Sequence, residues 1–355
     1  MNLRIIVTCN GCSMRFLTLA LTLGIASSSI LAATPTAAES VNLYSSRKEA
    51  LMRPLLDAFT EKTGAEVRIV AASGGQLIQR MIAEGEYSPA DVLLTVDAGN
   101  LWRAADAGML QSVDSKYLLS VVPSDYRDPG NQWFGLSLRA RAVVYATDRV
   151  SSDSIATDLG GYIGLAAPVW EGRVAVRSSG NIYNQSLIAA VIANFGAERA
   201  EQWVRGVVGN LARPPSGGDR DQIRAVAAGE ADVAIVNSYY YALMLGSEES
   251  NSIGNTAIYF PTDDQMGTHV NVSGAGVARY APHPELALAF IEFLASPEAQ
   301  SLYAEINNEF PVHPDVQPSG EVAKWESFTP DDVPVVEFGK LNADAVRTAD
   351  RAGWK

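Results

Sequence analysis

Cysteine and histidine are scarce in this 355-residue chain, which has two of the first and three of the second. Both cysteines, Cys9 and Cys12, form a C-x-x-C, a spacing that suits a redox pair or half a zinc site. They fall inside a stretch laid out as a secretory signal: Arg4 and Arg15, an apolar run over residues 16–26, then small residues through Ala37 and Ala38. Residues 1–38 are therefore expected to be cleaved, and the mature chain then has no disulfide, no thiolate metal site and no cysteine nucleophile. The run is too short and too broken by serine to span a bilayer. No cysteine follows it as a lipid attachment point, so a periplasmic protein is expected. His269, His283 and His313 include no pair at ligand spacing, which argues against a histidine metal site. Also missing are Gly-x-Ser-x-Gly, His-Glu-x-x-His and a Gly-Lys-Ser/Thr after Gly74-Gly75, while Asp263-Asp264 sits in an expected loop without a partner histidine. An enzyme is not expected. Basic residues are outnumbered 27 to 40, and losing residues 1–38 removes two arginines and no acid, moving the formal charge from −13 to −15. Such a chain is a poor partner for nucleic acid.

Hydrophobic residues make up 47% of the chain and charged ones 19%, enough for two domains with sizeable cores. Strand patterns at residues 41–45, 66–71 and 91–96 alternate with helix patterns at 48–63, 76–83 and about 99–107. The first helix carries Leu51, Leu55, Ala58 and Phe59 on one face and stops at Gly64. This alternation predicts a parallel sheet covered by helices. Residues 133–145 and 268–278 are extended, long, and placed at either end of a second strand–helix series. They predict a chain that crosses twice between lobes and closes over a ligand. The expected first lobe is residues 39–143, completed by about 270–320, and the second is 144–269, completed by about 321–355. Residues 284–307 are expected as helix broken near Ser296-Pro297, and about 341–352 as a last helix.

Tyrosine is what the chain places deliberately. Residues 232–236 read as a buried strand and 242–245 as the following helix, with Tyr239, Tyr240 and Tyr241 between them. Tyr183 lies between a strand at 173–177 and a helix at 184–195. In open α/β sheets the crevice at the carboxyl ends of strands takes the ligand. A phenol has a reference pKa near 10, so ionising it at neutral pH costs roughly 4 kcal/mol unless a strong cation compensates. Ferric ion is hard, small and triply charged, and prefers such oxygens. Three phenolates at Tyr183, Tyr239 and Tyr240 would cancel its charge. The plainer alternative is that these rings pack and their hydroxyls hydrogen-bond, as is expected of Tyr241; Tyr44 is expected to point into the fold.

Five separated segments carry a resemblance: SPADVLLTVDAGNLWRA (88–104), WFGLSLRARAVVY (133–145), RSSGNIYNQSL (177–187), GEADVAIVNSYY (229–240) and GTHVNVSGAGV (267–277). With the three tyrosines, they make the chain similar to the ferric-iron substrate-binding proteins of ABC importers, the bacterial-transferrin type. The resemblance implies an α/β, two-lobed type II periplasmic binding fold. It implies a monomer holding Fe3+ through Tyr183, Tyr239 and Tyr240 and delivering it to an inner-membrane permease driven by a separate ATPase. Many relatives have a histidine, often followed by tyrosine, where this chain has Lys48 and Glu49. Iron is then expected mainly from the second lobe, with water or a small anion such as carbonate completing its shell and Glu49 as a possible further ligand. Arg47, Arg139, Ser179 and Asn237 match positions near the site, for an accompanying anion or for support of the phenols. The competing reading is a binding protein for an oxyanion or a sugar in the same cleft.

Overall fold

The computed structural model describes residues 39–355. The expected signal segment, with Cys9 and Cys12, lies outside them. Among the described residues no helix is long and apolar enough to cross a membrane.

Eight strands form one mixed sheet: β1 (Ser40–Ser45), β2 (Glu66–Ala71), β3 (Val92–Thr95), β4 (Phe134–Ala146), β5 (Val174–Ala175), β6 (Val233–Asn237), β7 (Thr256–Tyr259) and β8 (Val270–Val277). Their order is β2-β1-β3-β8-β4-β6-β5, with β7 also on β4. The βα alternation yields parallel pairing at β1 with β2 and β3, and at β5 with β6. The parallel pairing expected from the first βα units forms there, and the two long crossing segments run against their neighbours: β8 is antiparallel to β3, and β4 to β6, β7 and β8. One strand serves both halves. Phe134 to Ala140 of β4 pair with β8, and Arg141 to Tyr145 pair with β6. With β8 beside it, β4 forms the double crossing of a two-lobed type II binding fold.

Thirteen α-helices cover this sheet among the described residues. The first four are α1 (Glu49–Thr63), α2 (Gly74–Glu84), α3 (Ala98–Asp106) and α4 (Lys116–Val121), followed by a single turn α5 (Ser152–Ser154). Then come α6 (Ile182–Phe195), α7 (Ala197–Gly209), α8 (Asp219–Ala227), α9 (Ser238–Leu245), α10 (Pro284–Leu294), α11 (Pro297–Asn307), α12 (Val336–Lys340) and α13 (Asn342–Ala352). Gly64 ends α1 at φ 77°, a left-handed value that costs glycine nothing. The buried stripe of α1 is Met52, Leu55, Leu56 and Phe59, one step round from the expected face, so Leu51 is free to line the cleft. Phe59 meets Phe290 edge-on at 5.0 Å, joining α1 to α10 in the first core. The expected break before Pro297 separates α10 from α11, with Ser296 capping the latter through Ala299 N–H. Proline there starts a helix it could not continue. The carboxyl-terminal helices bridge: α12 packs on α3 and α13 on α6 and α7. Gly339 permits the first contact, since a Cβ there would stand 2.5 Å from Trp102 Cβ.

Candidate metal centre

Two helix starts aim the tyrosines. Asn181 caps α6 by accepting from the Tyr183 N–H at 3.0 Å, which fixes Tyr183 in the first turn. At the other junction β6 runs to Asn237 and α9 begins at once at Ser238, so Tyr239 and Tyr240 occupy the first turn of a helix rather than the loop before it. Ser238 Oγ accepts from the Ala140 N–H, tying that turn to β4. Tyr183 and Tyr239 hydroxyl oxygens stand 3.5 Å apart, and the rings of Tyr239 and Tyr240 lie 4.2 Å apart, centroid to centroid. All three line one cleft of about 530 Å³ whose opposite wall is Ser46 to Lys48, Ala50 and Leu51.

Burial pushes the Tyr239 hydroxyl well above the usual phenol range, reinforced by Tyr183 and Tyr240 and opposed by Arg139. The Tyr240 hydroxyl is raised too, by burial first and by Tyr183 next. Both are neutral phenols at pH 7 until a cation displaces their protons. Tyr241 belongs to another class: buried, it donates to the Thr256 carbonyl at 2.8 Å. Tyr44 is fully buried with its hydroxyl on Glu84. Neither faces the cleft.

Cations surround the phenols. Arg139 and Arg177 place their guanidinium carbons 5.2 and 5.6 Å from the Tyr183 ring centre. Arg139 is 3% exposed; its Nη1 donates to Ser273 Oγ at 2.9 Å, while Nε and Nη2 have no partner. Arg47 also lines the cleft but is bound by Glu309 and Ser273. Ser179 is elsewhere, donating to the Trp354 carbonyl and so fastening the carboxyl terminus. Asn237 accepts from Arg141 at 3.2 Å and borders a small polar void behind Tyr183 rather than the cleft. Glu49 pairs with Arg53 one turn along α1 and is not part of the cleft wall, whereas Lys48 is.

Asp219 and Glu309 have functions the sequence did not show. Asp219, first residue of α8 and 1% exposed, accepts from Arg141 at 2.7 Å, from Arg177 at 3.1 Å and from the Asn237 N–H at 2.7 Å. It therefore holds β4, the Tyr183 junction and the end of β6 in one arrangement. Its only sequence signal is an acid directly after Gly217-Gly218, where a helix start favours a carboxylate. Asp219→Asn should cost about 3–5 kcal/mol by leaving buried Arg141 and half-buried Arg177 under-compensated, measurable as a lowered urea midpoint. His269 is buried against Phe338 with its ring on Ser186, and burial pushes it down to about 3. It is neutral and structural. Among the described residues no group of three or more His, Cys, Asp or Glu is placed to hold a metal.

The chain is similar over most of its length to known iron-binding and iron-uptake proteins. Iron uptake protein A2 of Synechocystis is 43% identical over 320 residues, covering 89% of this chain and 90% of that protein. The Trichodesmium protein FutA (IdiA), solved in complex with iron and citrate ligands, superposes with a TM-score of 0.83 at 46% identity over 89% of this chain and all of that one. A ferric binding protein from Campylobacter jejuni gives 0.84 at 36% identity, again over 89% of this chain and all of that one. The family model described as bacterial extracellular solute-binding protein matches residues 44–301. With that match over most of its length, on a two-lobed sheet crossed by β4 and β8, the chain belongs to the bacterial extracellular solute-binding protein family.

Proposed function

We propose that this protein captures ferric iron in the cleft through the phenolates of Tyr183, Tyr239 and Tyr240 and passes it, as a monomer in the periplasm, to the permease of an ABC importer. The observation that carries this reading is the convergence of three phenols from two helix starts, two of them with oxygens 3.5 Å apart, in a cleft without a histidine or thiolate donor. Three phenolates neutralise Fe3+ and supply hard oxygen donors. Lys48 on the facing wall cannot ligate while charged, and Glu49 is committed to Arg53. Iron is accordingly held from the second-lobe wall, and its remaining positions go to water or an anion beside Arg139, whose unpartnered nitrogens suit an oxyanion. The hinge is β4 and β8, with the first lobe over residues 39–143 and part of 270–320, and the second over 144–269 and part of 321–355.

Adding ferric iron to the metal-free protein should produce a broad visible absorption band from phenolate-to-iron charge transfer, saturating at one iron per chain. A protein that stays colourless while binding a sugar or an oxyanion in the same cleft would overturn the proposal.

A further inference from the structure

The two junctions that supply the phenols are built unequally. Tyr239 and Tyr240 follow β6, which is paired on both sides, by β4 and by β5. Tyr183 follows β5, a strand of two residues at the end of the sheet order, whose ladder with β6 stops at Ala175. Residues 176–181 therefore reach the first turn of α6 without strand pairing, and their backbone groups need other partners. Residues after α13 supply several. Trp354 is 1% exposed; its indole Nε1 donates to the Arg177 carbonyl at 2.9 Å, and its own carbonyl accepts from Ser179 Oγ at 2.5 Å. The Ser179 N–H donates to the Lys355 carbonyl at 3.4 Å. From the start of α13, Asn342 donates to Gln185 at 3.0 Å, and Gln185 donates to the Ser179 carbonyl at 3.1 Å. The loop that launches Tyr183 is thus held from the far end of the sequence.

We propose that Trp354 and Ser179 are positioning residues of the metal site: their clamp on residues 177–179 sets where α6 begins, and so how near the Tyr183 oxygen comes to those of Tyr239 and Tyr240. This rests on the phenolate reading and adds to it the device that decides whether three donors or two reach one ion. Neither residue lines the cleft, so both act through the loop. Asn181, which caps α6 through the Tyr183 N–H, follows Ser179 by two residues, and a shift of the loop moves cap and ligand together. Arg177 moves with them. Its carbonyl is bound by Trp354, while its guanidinium lies 5.6 Å from the Tyr183 ring and pairs with Asp219. Because α13 packs on α6 and α7, a helix outside the cleft carries the clamp that sets the cleft's geometry.

The test uses the full chain, stripped of metal and reloaded with ferric iron. Affinity is measured by dialysis against a competing chelator, together with the visible band per bound iron and the thermal midpoint. Ser179→Ala with Trp354→Phe removes the hydroxyl and the indole donor of the clamp. Affinity should fall about ten- to a hundredfold, the usual cost of losing groups that orient a metal ligand, and the band per iron should weaken as Tyr183 leaves the shell. Trp203→Phe is the control. Its indole lies edge-on to that of Trp354 at 6.4 Å and donates to the Tyr162 carbonyl at 2.7 Å, away from the loop. That variant should lower the thermal midpoint similarly and leave affinity and band as in the parent. Should the double variant fail to fold, Ser179→Ala alone, which deletes one half-buried hydroxyl, carries the comparison. A fall of at least about threefold is then expected. Parent affinity or a parent-strength band in the folded clamp variant overturns the inference alone, and so does an equal loss of affinity in Trp203→Phe. No visible band in the parent overturns the phenolate reading and the inference with it.

Discussion

Phenylalanine at both 239 and 240 should abolish ferric binding while leaving the fold in place. The substitution removes two oxygens and nothing else, so ring packing survives: Tyr239 is 8% exposed and its ring stays against that of residue 240. Among the described residues the Tyr239 hydroxyl has a long contact to that of Tyr183, at 3.5 Å, and meets Tyr240 as well. Losing so weak a bond costs less than about 1 kcal/mol, and removing a buried hydroxyl with no better partner offsets part of that. The iron loses two of three anionic donors and two of the three charges that neutralise it. Affinity should fall by at least about a thousandfold, or about 4 kcal/mol, with the visible band gone. Equilibrium dialysis against a competing chelator gives the affinity, and a thermal melt followed by circular dichroism gives the stability. Tyr241→Phe is the matched control, because it removes a buried bond to the Thr256 carbonyl at 2.8 Å. That variant should lose about 1 kcal/mol of stability and bind iron as the parent does. Wild-type affinity in the double variant would remove these phenols from the metal site.

The pairing of Tyr183 with Tyr239 and Tyr240 was legible because each is announced locally. A short apolar strand leads into each, a helix pattern follows, and ligand crevices lie at such junctions. The crossing strands were legible for a related reason: thirteen extended residues in β4 exceed what one lobe can use. What the sequence could not show was pairing across distance. Glu309 and Arg47 are 262 residues apart, and Asp219 and Arg141 are 78 apart. No periodicity encodes those encounters, which exist only once β4, β8 and the chain after α11 have come together. Strand direction was lost in the same way, since β4 and β8 have the side-chain pattern of any buried strand and only their partners make them antiparallel. Arg47 and Glu49 show the limit of position alone. Both flank Lys48 in the sequence, yet only Arg47 lines the cleft, and it is spent on Glu309 as Glu49 is on Arg53.

Acid should release the iron, steeply and before the protein unfolds. Tyr239 lies well above the ordinary phenol range through burial, and Tyr240 is raised for the same reason, so the metal-free site is protonated at neutral pH. Each phenol that binds iron must give up one proton. With three such ligands the apparent affinity should fall about a thousandfold for each pH unit of acidification, until a competing reaction of the metal intervenes. In the metal-free protein the same groups act in the opposite direction. A phenol raised in the folded state binds more protons than in the unfolded chain only above about pH 10, so its contribution to stability is complete below that pH and is lost as the solution turns more alkaline. These tyrosines therefore give the metal-free fold no sensitivity to mild acid, and iron release is separable from unfolding. Titrating the iron-loaded protein from pH 8 to 4 should bleach the visible band while far-ultraviolet circular dichroism holds, with about three protons taken up per iron lost. A band that persists to about pH 3, or bleaching that coincides with loss of the helical signal, would mean that phenolates do not hold the metal.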